Sequence, residues 1–209
     1  MQYDTIIGLG ANCSVAQAIR THFKVTQAYP FDWWISHHVQ TLNVLKGDFK
    51  GLCDKDDLVV ADDYSTVISR KYGIWHHHEF PRDDSDKIIP LTGEAIENAR
   101  SKLCYIVDRM LTQLSSGRHL FVRYCPDQEH DSIDKIENRA FELKAELDRL
   151  FPRSEIHMLN LNDMTPDLQE REGVMFDALL PKITDNMWKF PEYKALFERR
   201  QLSLRNGPG

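Results

Sequence analysis

The beginning of the chain carries apolar positions whose spacing changes from strand-like to helix-like. Residues 4–9 form a short apolar run rich in Ile, which is typical of a strand covered on both faces. Gly8 and Gly10 bracket the turn that follows, and Asn12 is a good N-cap residue. Apolar residues then recur at helical spacing, at Val15, Ala16, Ile19 and Phe23. The pattern predicts a strand, a glycine turn and a helix.

The second half of the chain alternates between predicted helices and predicted strands. Helical spacing begins at Thr92 and continues to Gly117, which predicts the longest helix. The elements predicted after it are a strand at 119–124, a helix from 131 or 132 to 151, a strand at 155–161, a strand or helical turn at 174–180, and a helix at 191–197. This order predicts an α/β protein with a mainly parallel sheet flanked by helices on both faces, in three layers. We expect one domain over residues 1–205 and a frayed tail over 206–209.

The stretch between these regions is less regular. Pro30 interrupts residues 29–36, where Asp32 stands among three aromatic residues, of which we expect at least two in the core. A short helix is predicted near residues 39–45, an acidic irregular segment at 52–63, and β-prone runs at 66–69 and 72–75. The three aromatic residues are Phe31, Trp33 and Trp34.

Composition narrows the classes of partner. The chain has 209 residues, a formal net charge of -6 and an isoelectric point near 5.8, and it contains no dense Lys/Arg run, so a nucleic-acid partner is not expected. No secretory leader or membrane span is recognisable, so we expect a cytoplasmic protein without a membrane partner. The four cysteines are widely spaced, as in reduced proteins. We expect a small-molecule or peptide substrate, and the oligomeric state stays open.

Cys13 stands at the start of the first predicted helix, directly after a strand. Parallel sheets bind ligands at the carboxyl ends of their strands, so Cys13 and the segments 123–127 and 160–163 are expected to share one edge. The free N–H groups of a helix start favour an anion, and a thiol placed there tends to be a thiolate. Cys13 is therefore a candidate nucleophile, although a packing role where helix and sheet meet explains it equally well.

Two other motifs suggest cofactors at first sight. In a strand His76 and His78 face one way and His77 the other, which leaves half a metal site without helical HExxH spacing, so we predict no metal. The glycine turn resembles a dinucleotide fingerprint, but Cys13 stands where the third glycine belongs, so we predict no nicotinamide or flavin cofactor. A phosphate or nucleotide-sugar group at this turn, with Arg123 as its cation, stays open.

The combination GLGANCSVA, YPFDW and HHEF resembles a bacterial family described as papain-like cysteine peptidases, whose biochemistry is unknown. The matching positions cover most of the chain: Gly8, Leu9, Gly10 and Cys13, residues 30–33, residues 78–80 after Tyr72 and Gly73, and more weakly residues 120–123. Two departures are Glu79, where the family usually has Asp, and the sequence KLCYIVDR, where the family often has a Tyr followed by two Arg. The resemblance implies a cysteine peptidase or amidase.

The candidate machinery combines residues from all these segments. Cys13 is the predicted nucleophile and His78, or His77, the predicted base. Asp32, Asp163 or Asp185 are candidates to orient the base, and the papain-like order of Cys, His and Asn or Asp is met by Asn162 or Asp163, of which we choose Asp163. The backbone N–H of Cys13, with an N–H of the Gly10 turn or the Asn12 amide, is the predicted oxyanion site.

Two alternatives to an enzyme with a Cys13 nucleophile stay open. The first is a transferase or binding domain that holds a phosphate-bearing ligand, such as a nucleotide sugar, at the turn from Gly8 to Cys13. The second is a non-enzymatic interaction module, in which the aromatic segment and the His-rich segment belong to the core.

Overall fold

The computed structural model describes residues 1–125, 133–162, 170–178 and 190–205. Within them the helices are α1 (Cys13–Phe23), α2 (His38–Lys46), α3 (Gly93–Gln113), α4 (Ile133–Leu150) and α5 (Phe190–Arg199), with short 3-10 turns at Pro30–Asp32 and Lys55–Asp57. The strands are β1 (Gln2–Tyr3), β2 (Thr5–Gly8), β3 (Trp34–Ile35), β4 (Leu58–Val60), β5 (Val67–Ser69), β6 (Trp75–His76), β7 (Gly117–Tyr124), β8 (Ser154–Asn162), β9 (Val174–Ala178) and β10 (Ser203–Leu204).

A parallel sheet of four strands, in the order β2-β7-β8-β9, organises the chain. Gly8 lies opposite Val122, and Arg123 lies opposite Asn160 on the next strand. All four strands run in the same direction, so their carboxyl ends, and the residues that follow them, meet at one edge. The predicted mixed α/β fold with a parallel sheet is confirmed, and residues 174–178 form a strand.

The longer helices begin where local hydrogen bonding favours a start. Asn12 accepts the backbone N–H of Ser14 at 3.0 Å and caps α1, and Thr92 accepts the N–H of Ala95 at 3.1 Å and caps α3. These side chains satisfy backbone donors that have no partner within the first turn. The predicted starts of both helices are therefore confirmed to within one residue.

Alternate residues of the parallel strands belong to two separate apolar clusters. Ile7 and Phe121 pack with α3, α4 and the aromatic core of the middle region. Ile6 and Leu120 pack instead with α1 and α5. Since successive side chains of a strand point to opposite faces, each helix buries its apolar stripe against one set of alternate residues.

A second sheet, antiparallel and ordered β3-β6-β5-β4, was not predicted as a sheet. Its strands contain only two or three residues, which is too short for an alternating pattern to stand out. The segment 52–63, predicted to be irregular, contributes β4 to it. Another unpredicted pairing joins β1 to β10, close to the two ends of the described chain.

The aromatic segment contributes β3 to this second sheet. Phe31 and Trp34 are almost completely buried and their rings meet edge to face at 5.3 Å, so the prediction of two core aromatics is confirmed. Trp75 of β6 is 43% exposed. Trp75 and His76 are neighbours in β6, so only one of them can face inward, and His76 takes that side.

Within the described ranges, no helix has the length and apolar character needed to cross a bilayer.

We expect Gly10→Ala to destabilise the protein by about 1–3 kcal/mol, because Gly10 has a φ of +73° and a Cβ there lies 2.5 Å from Ser36 Oγ. Gly93→Ala is the matched control, since a Cβ at Gly93 meets nothing within 4 Å, and its stability should be unchanged or slightly higher. Urea unfolding of both variants measures the difference. Equal stability of the two variants would contradict the close approach at Gly10.

Candidate functional site

The glycine turn is held by a hydrogen-bonded network that reaches three parts of the chain. The N–H of Ser36 donates to the carbonyl of Ala11 at 2.9 Å, which joins the turn to the segment before α2. Arg123 Nη1 donates to the carbonyl of Leu9 at 2.7 Å and to Thr41 Oγ1 at 3.2 Å. The Thr41 hydroxyl in turn lies 3.2 Å from Ser36 Oγ. The carboxyl edge of β2 and β7 is therefore assembled from residues more than 100 positions apart.

Cys13 is the first residue of α1 and is half-buried at this edge. Burial raises the pKa of the Cys13 thiol above its usual range, and a hydrogen bond from its own backbone N–H opposes that rise. The sequence-based expectation of a resting thiolate is thus not met, because desolvation outweighs the helix start. The resting group is a neutral thiol, which needs a base before it can attack.

The two predicted bases lie in the segment that follows β6. The His78 side chain is exposed, and its ring meets those of Trp33 at 5.5 Å and His77 at 4.8 Å. The carbonyl of His77 accepts a hydrogen bond from Arg82 at 2.6 Å. Burial and neighbouring positive groups lower the pKa of both histidines. None of these described contacts involves Cys13, so the pairing of Cys13 with His78 stays a prediction.

The carboxylates proposed as orienting groups have different outcomes. Asp32 is buried, accepts the N–H of Tyr29 at 2.9 Å and lies 3.5 Å from Arg20 of α1. Burial raises the pKa of Asp32 to about 6, and these partners oppose the rise. Asp32 therefore closes the 3-10 turn and ties it to α1. Asp163 and Asp185 lie outside the described residues.

The predicted ligand-binding residues of the turn have structural partners. Asn12 uses its side-chain oxygen to cap α1, so only its NH₂ group is left to donate to a ligand. Arg123, which is 1% exposed, stabilises the turn through its hydrogen bond to the Leu9 carbonyl. The Gly10 backbone passes so close to Arg123 and Ser36 that a side chain there does not fit. The turn itself is consequently rigidly supported.

One histidine at this edge, His38, is not among the catalytic residues predicted from the sequence. His38 begins α2, two residues after Ser36, and its Nε2 lies 2.8 Å from Glu142 Oε2 of α4. Its other ring nitrogen, Nδ1, is buried without a hydrogen-bond partner. The signal in the sequence was the pair His37-His38 just ahead of a predicted helix, but Glu142 is 104 residues away and no local pattern links the two.

We compared the chain with family models, curated proteins and solved structures. None of them matches. The family resemblance and the activity that it implies therefore stay predictions.

His76 of β6 and Glu79 form a pair of buried side chains. His76 Nδ1 lies 3.8 Å from Glu79 Oε2, and neither ring nitrogen of His76 has a hydrogen-bond partner. Burial lowers the pKa of His76 to about 4 and raises the pKa of Glu79 to about 7. Between these two pKa values the pair favours its uncharged form, with the proton on Glu79. Within the described ranges, no group of three His, Cys, Asp or Glu side chains is arranged to hold a metal.

Opposite pH effects of the two groups offset each other. The pKa of Glu79 rises from 4.5 to about 7 on folding, so its contribution to stability is full below pH 4.5 and is lost as the pH rises to 7. The pKa of His76 falls from 6.5 to about 4, so its contribution is full above pH 6.5 and is lost as the pH falls to 4. Between pH 4.5 and 6.5 the two slopes cancel.

The Glu79→Gln variant lacks the pH dependence of stability that Glu79 causes. Relative to the wild type, its free energy of unfolding should rise between pH 4.5 and 7 by up to about 3 kcal/mol, because the wild type alone must ionise a buried carboxyl. Urea unfolding at fixed ionic strength across this range gives the difference. Glu97→Gln, on the exposed side of α3, is the control and should follow the wild type. A difference curve for Glu79→Gln that stays flat would show that Glu79 is already ionised.

Proposed function

We propose that the protein is a hydrolase or acyl transferase that uses Cys13 as a covalent nucleophile on a peptide or small amide or ester. The observation that carries this proposal is the position of Cys13. It is half-buried, stands at the first turn of a helix, and follows a parallel strand directly. The first turn of a helix has backbone N–H groups without partners in the helix, and those that Asn12 does not cap are the donors we propose for a tetrahedral oxyanion.

The two apolar clusters support a three-layer arrangement that opens a crevice at this place. α1 follows β2 and packs in the cluster of Ile6, whereas α4 follows β7 and packs in the cluster of Ile7. We infer that the chain leaves these neighbouring strands toward opposite faces. Open α/β sheets bind their ligands where such a change of direction occurs. In the proposed crevice Cys13 borders one side, and Arg123 lies next to the turn through its bond to Leu9.

The proposed reaction has two covalent steps. A histidine takes the thiol proton while the Cys13 sulfur bonds to the substrate carbonyl carbon, and the leaving amine or alcohol departs with that proton. Water, or another acceptor, then gives its proton to the histidine and displaces the sulfur from the thioester. The products are an acid or a new acyl compound, and the thiol is restored. His78 with Asp163 is the base and orienting group that the resemblance implies.

A second candidate function has a specific observation in its favour. The buried guanidinium of Arg123 lies beside the glycine turn, 3.3 Å from where a Cβ of Gly10 would stand. A phosphate of a nucleotide sugar placed on the N-terminus of α1 would meet this cation as well. A cytoplasmic location and the lack of a cofactor stay parts of both proposals, as predictions from the sequence.

The nucleophile is tested with p-nitrophenyl acetate at pH 7, followed by peptide mapping. We expect acetyl-Cys13 to form at least about tenfold faster than acetyl-Cys104, because a positioned base and oxyanion donors accelerate acyl transfer. Cys104 is an exposed thiol of α3 and serves as the internal reference. Cys13→Ala should abolish release of p-nitrophenol above background, and Cys104→Ala should retain it. Full release by Cys13→Ala would overturn the proposal.

The second candidate predicts that inorganic phosphate or UDP-glucose raises the melting temperature. The increase should persist in Cys13→Ser, because backbone N–H groups and Arg123 hold the phosphate rather than the sulfur. Differential scanning fluorimetry over a concentration series measures it. No shift with either compound would count against phosphate binding at the turn.

A further inference from the structure

His38 has the bonding pattern of an oriented proton acceptor. Its Nε2 lies 2.8 Å from a carboxylate oxygen of Glu142, so Nε2 carries the proton and Nδ1 carries the lone pair. Nδ1 is buried and has no hydrogen-bond partner, and the whole residue is 5% exposed. A buried polar atom without a partner is unusual and calls for a functional or structural reason.

Burial and two nearby arginines favour the neutral form of His38, and Glu142 opposes them. Glu142 and Arg139 face it from α4, Arg123 faces it from β7, and His37 precedes it in the chain. Burial is the largest cause that lowers the pKa of His38, the hydrogen bond to Glu142 opposes it, and Arg123 and Arg139 lower it further. At neutral pH the imidazole is therefore in the form that accepts a proton.

A short series of contacts joins His38 to the turn that carries Cys13. His38 follows Ser36 by two residues, and the Ser36 N–H is bonded to Ala11, which precedes Cys13 by two. Thr41, one helical turn after His38, bonds both Ser36 and Arg123. Arg123 bonds the carbonyl of Leu9 and so closes the loop of contacts. His38 and Cys13 therefore flank one hydrogen-bonded unit at the same edge of the sheet.

We propose that His38, held by Glu142, is the proton acceptor of the Cys13 site. This inference rests on the proposed function. Nδ1 takes the thiol proton as the sulfur attacks, Nε2–H stays donated to Glu142, and the imidazolium returns the proton to the leaving group as its bond to carbon breaks. Glu142 is then a positioning residue, which selects the tautomer and stabilises the imidazolium.

His78, the base predicted from the resemblance, has a different environment. Its side chain is exposed, and its described contacts are with Trp33, His77 and the carboxylate of Glu79. The bond to Glu79 comes from its backbone N–H, so it leaves the imidazole without a carboxylate to set its tautomer. Of the two histidines, His38 is the one with an oriented ring in the described structure.

The test is the pH dependence of iodoacetamide alkylation at Cys13, followed by peptide mapping with Cys104 as the reference. In the wild type we expect a reactive limb, the pH range over which alkylation of Cys13 rises, on the acidic side of pH 6.5, because burial lowers the pKa of His38. In His38→Gln, alkylation at pH 7 should fall at least about tenfold and recover only at alkaline pH. Glu142→Gln changes a largely exposed carboxylate and should fold; it should move the reactive limb to lower pH.

A His–Glu pair on β8 provides the matched control. His157 Nε2 lies 2.9 Å from Glu155 on β8, in the half of that strand away from the carboxyl edge. His157→Gln and Glu155→Gln should leave the alkylation profile of Cys13 unchanged. If His38→Gln does not fold, as judged by circular dichroism, the shift of the reactive limb in Glu142→Gln tests the role of His38.

The outcomes separate the two proposals. Alkylation profiles of His38→Gln and Glu142→Gln that superimpose on that of the wild type would overturn the role of His38. Loss of the reactive limb in His78→Ala would then show that His78 is the proton acceptor. In both cases the proposal that Cys13 is the nucleophile stands. A wild-type Cys13 that reacts no faster than Cys104, together with full esterase activity in Cys13→Ala, would overturn the proposed function itself.

Discussion

The buried guanidinium of Arg123 is the constraint on which the candidate site depends. It cannot be left without hydrogen bonds inside the protein, because a buried unpaired charge costs several kcal/mol. Two of its bonds go to the Leu9 carbonyl and to Thr41. These bonds tie the end of β2, the start of α2 and β7 together. The position of the glycine turn therefore follows from satisfying one cation.

This arrangement explains why a chain with ordinary composition concentrates polar side chains at one edge. The strands are buried on both faces and read as apolar runs, whereas the residues at and beyond their carboxyl ends carry the thiol, the arginine and the amides. Backbone donors there cannot be satisfied within the sheet. The proposed function places the substrate at this same edge.

Much of the fold could be predicted because the longer elements repeat their pattern several times. α3 and α4 show the helical spacing over four or more turns, and β7 and β8 are long strands with apolar residues near their centres. The strands of the second sheet have two or three residues and depend on their partners for stability. The β-prone run at 66–69 indicated β5, but no local signal indicated that four strands pair into a sheet.

The sequence by itself determined the parallel α/β frame and the place of Cys13 at a strand-to-helix turn, since neighbouring residues alone specify an apolar run, glycines and a cap. Only the tertiary structure decided the protonation of that thiol and which histidine has a carboxylate partner. Burial, which raises the pKa of Cys13, depends on packing from remote segments. The His38 to Glu142 hydrogen bond spans 104 residues, and such contacts exist only after α2 and α4 dock.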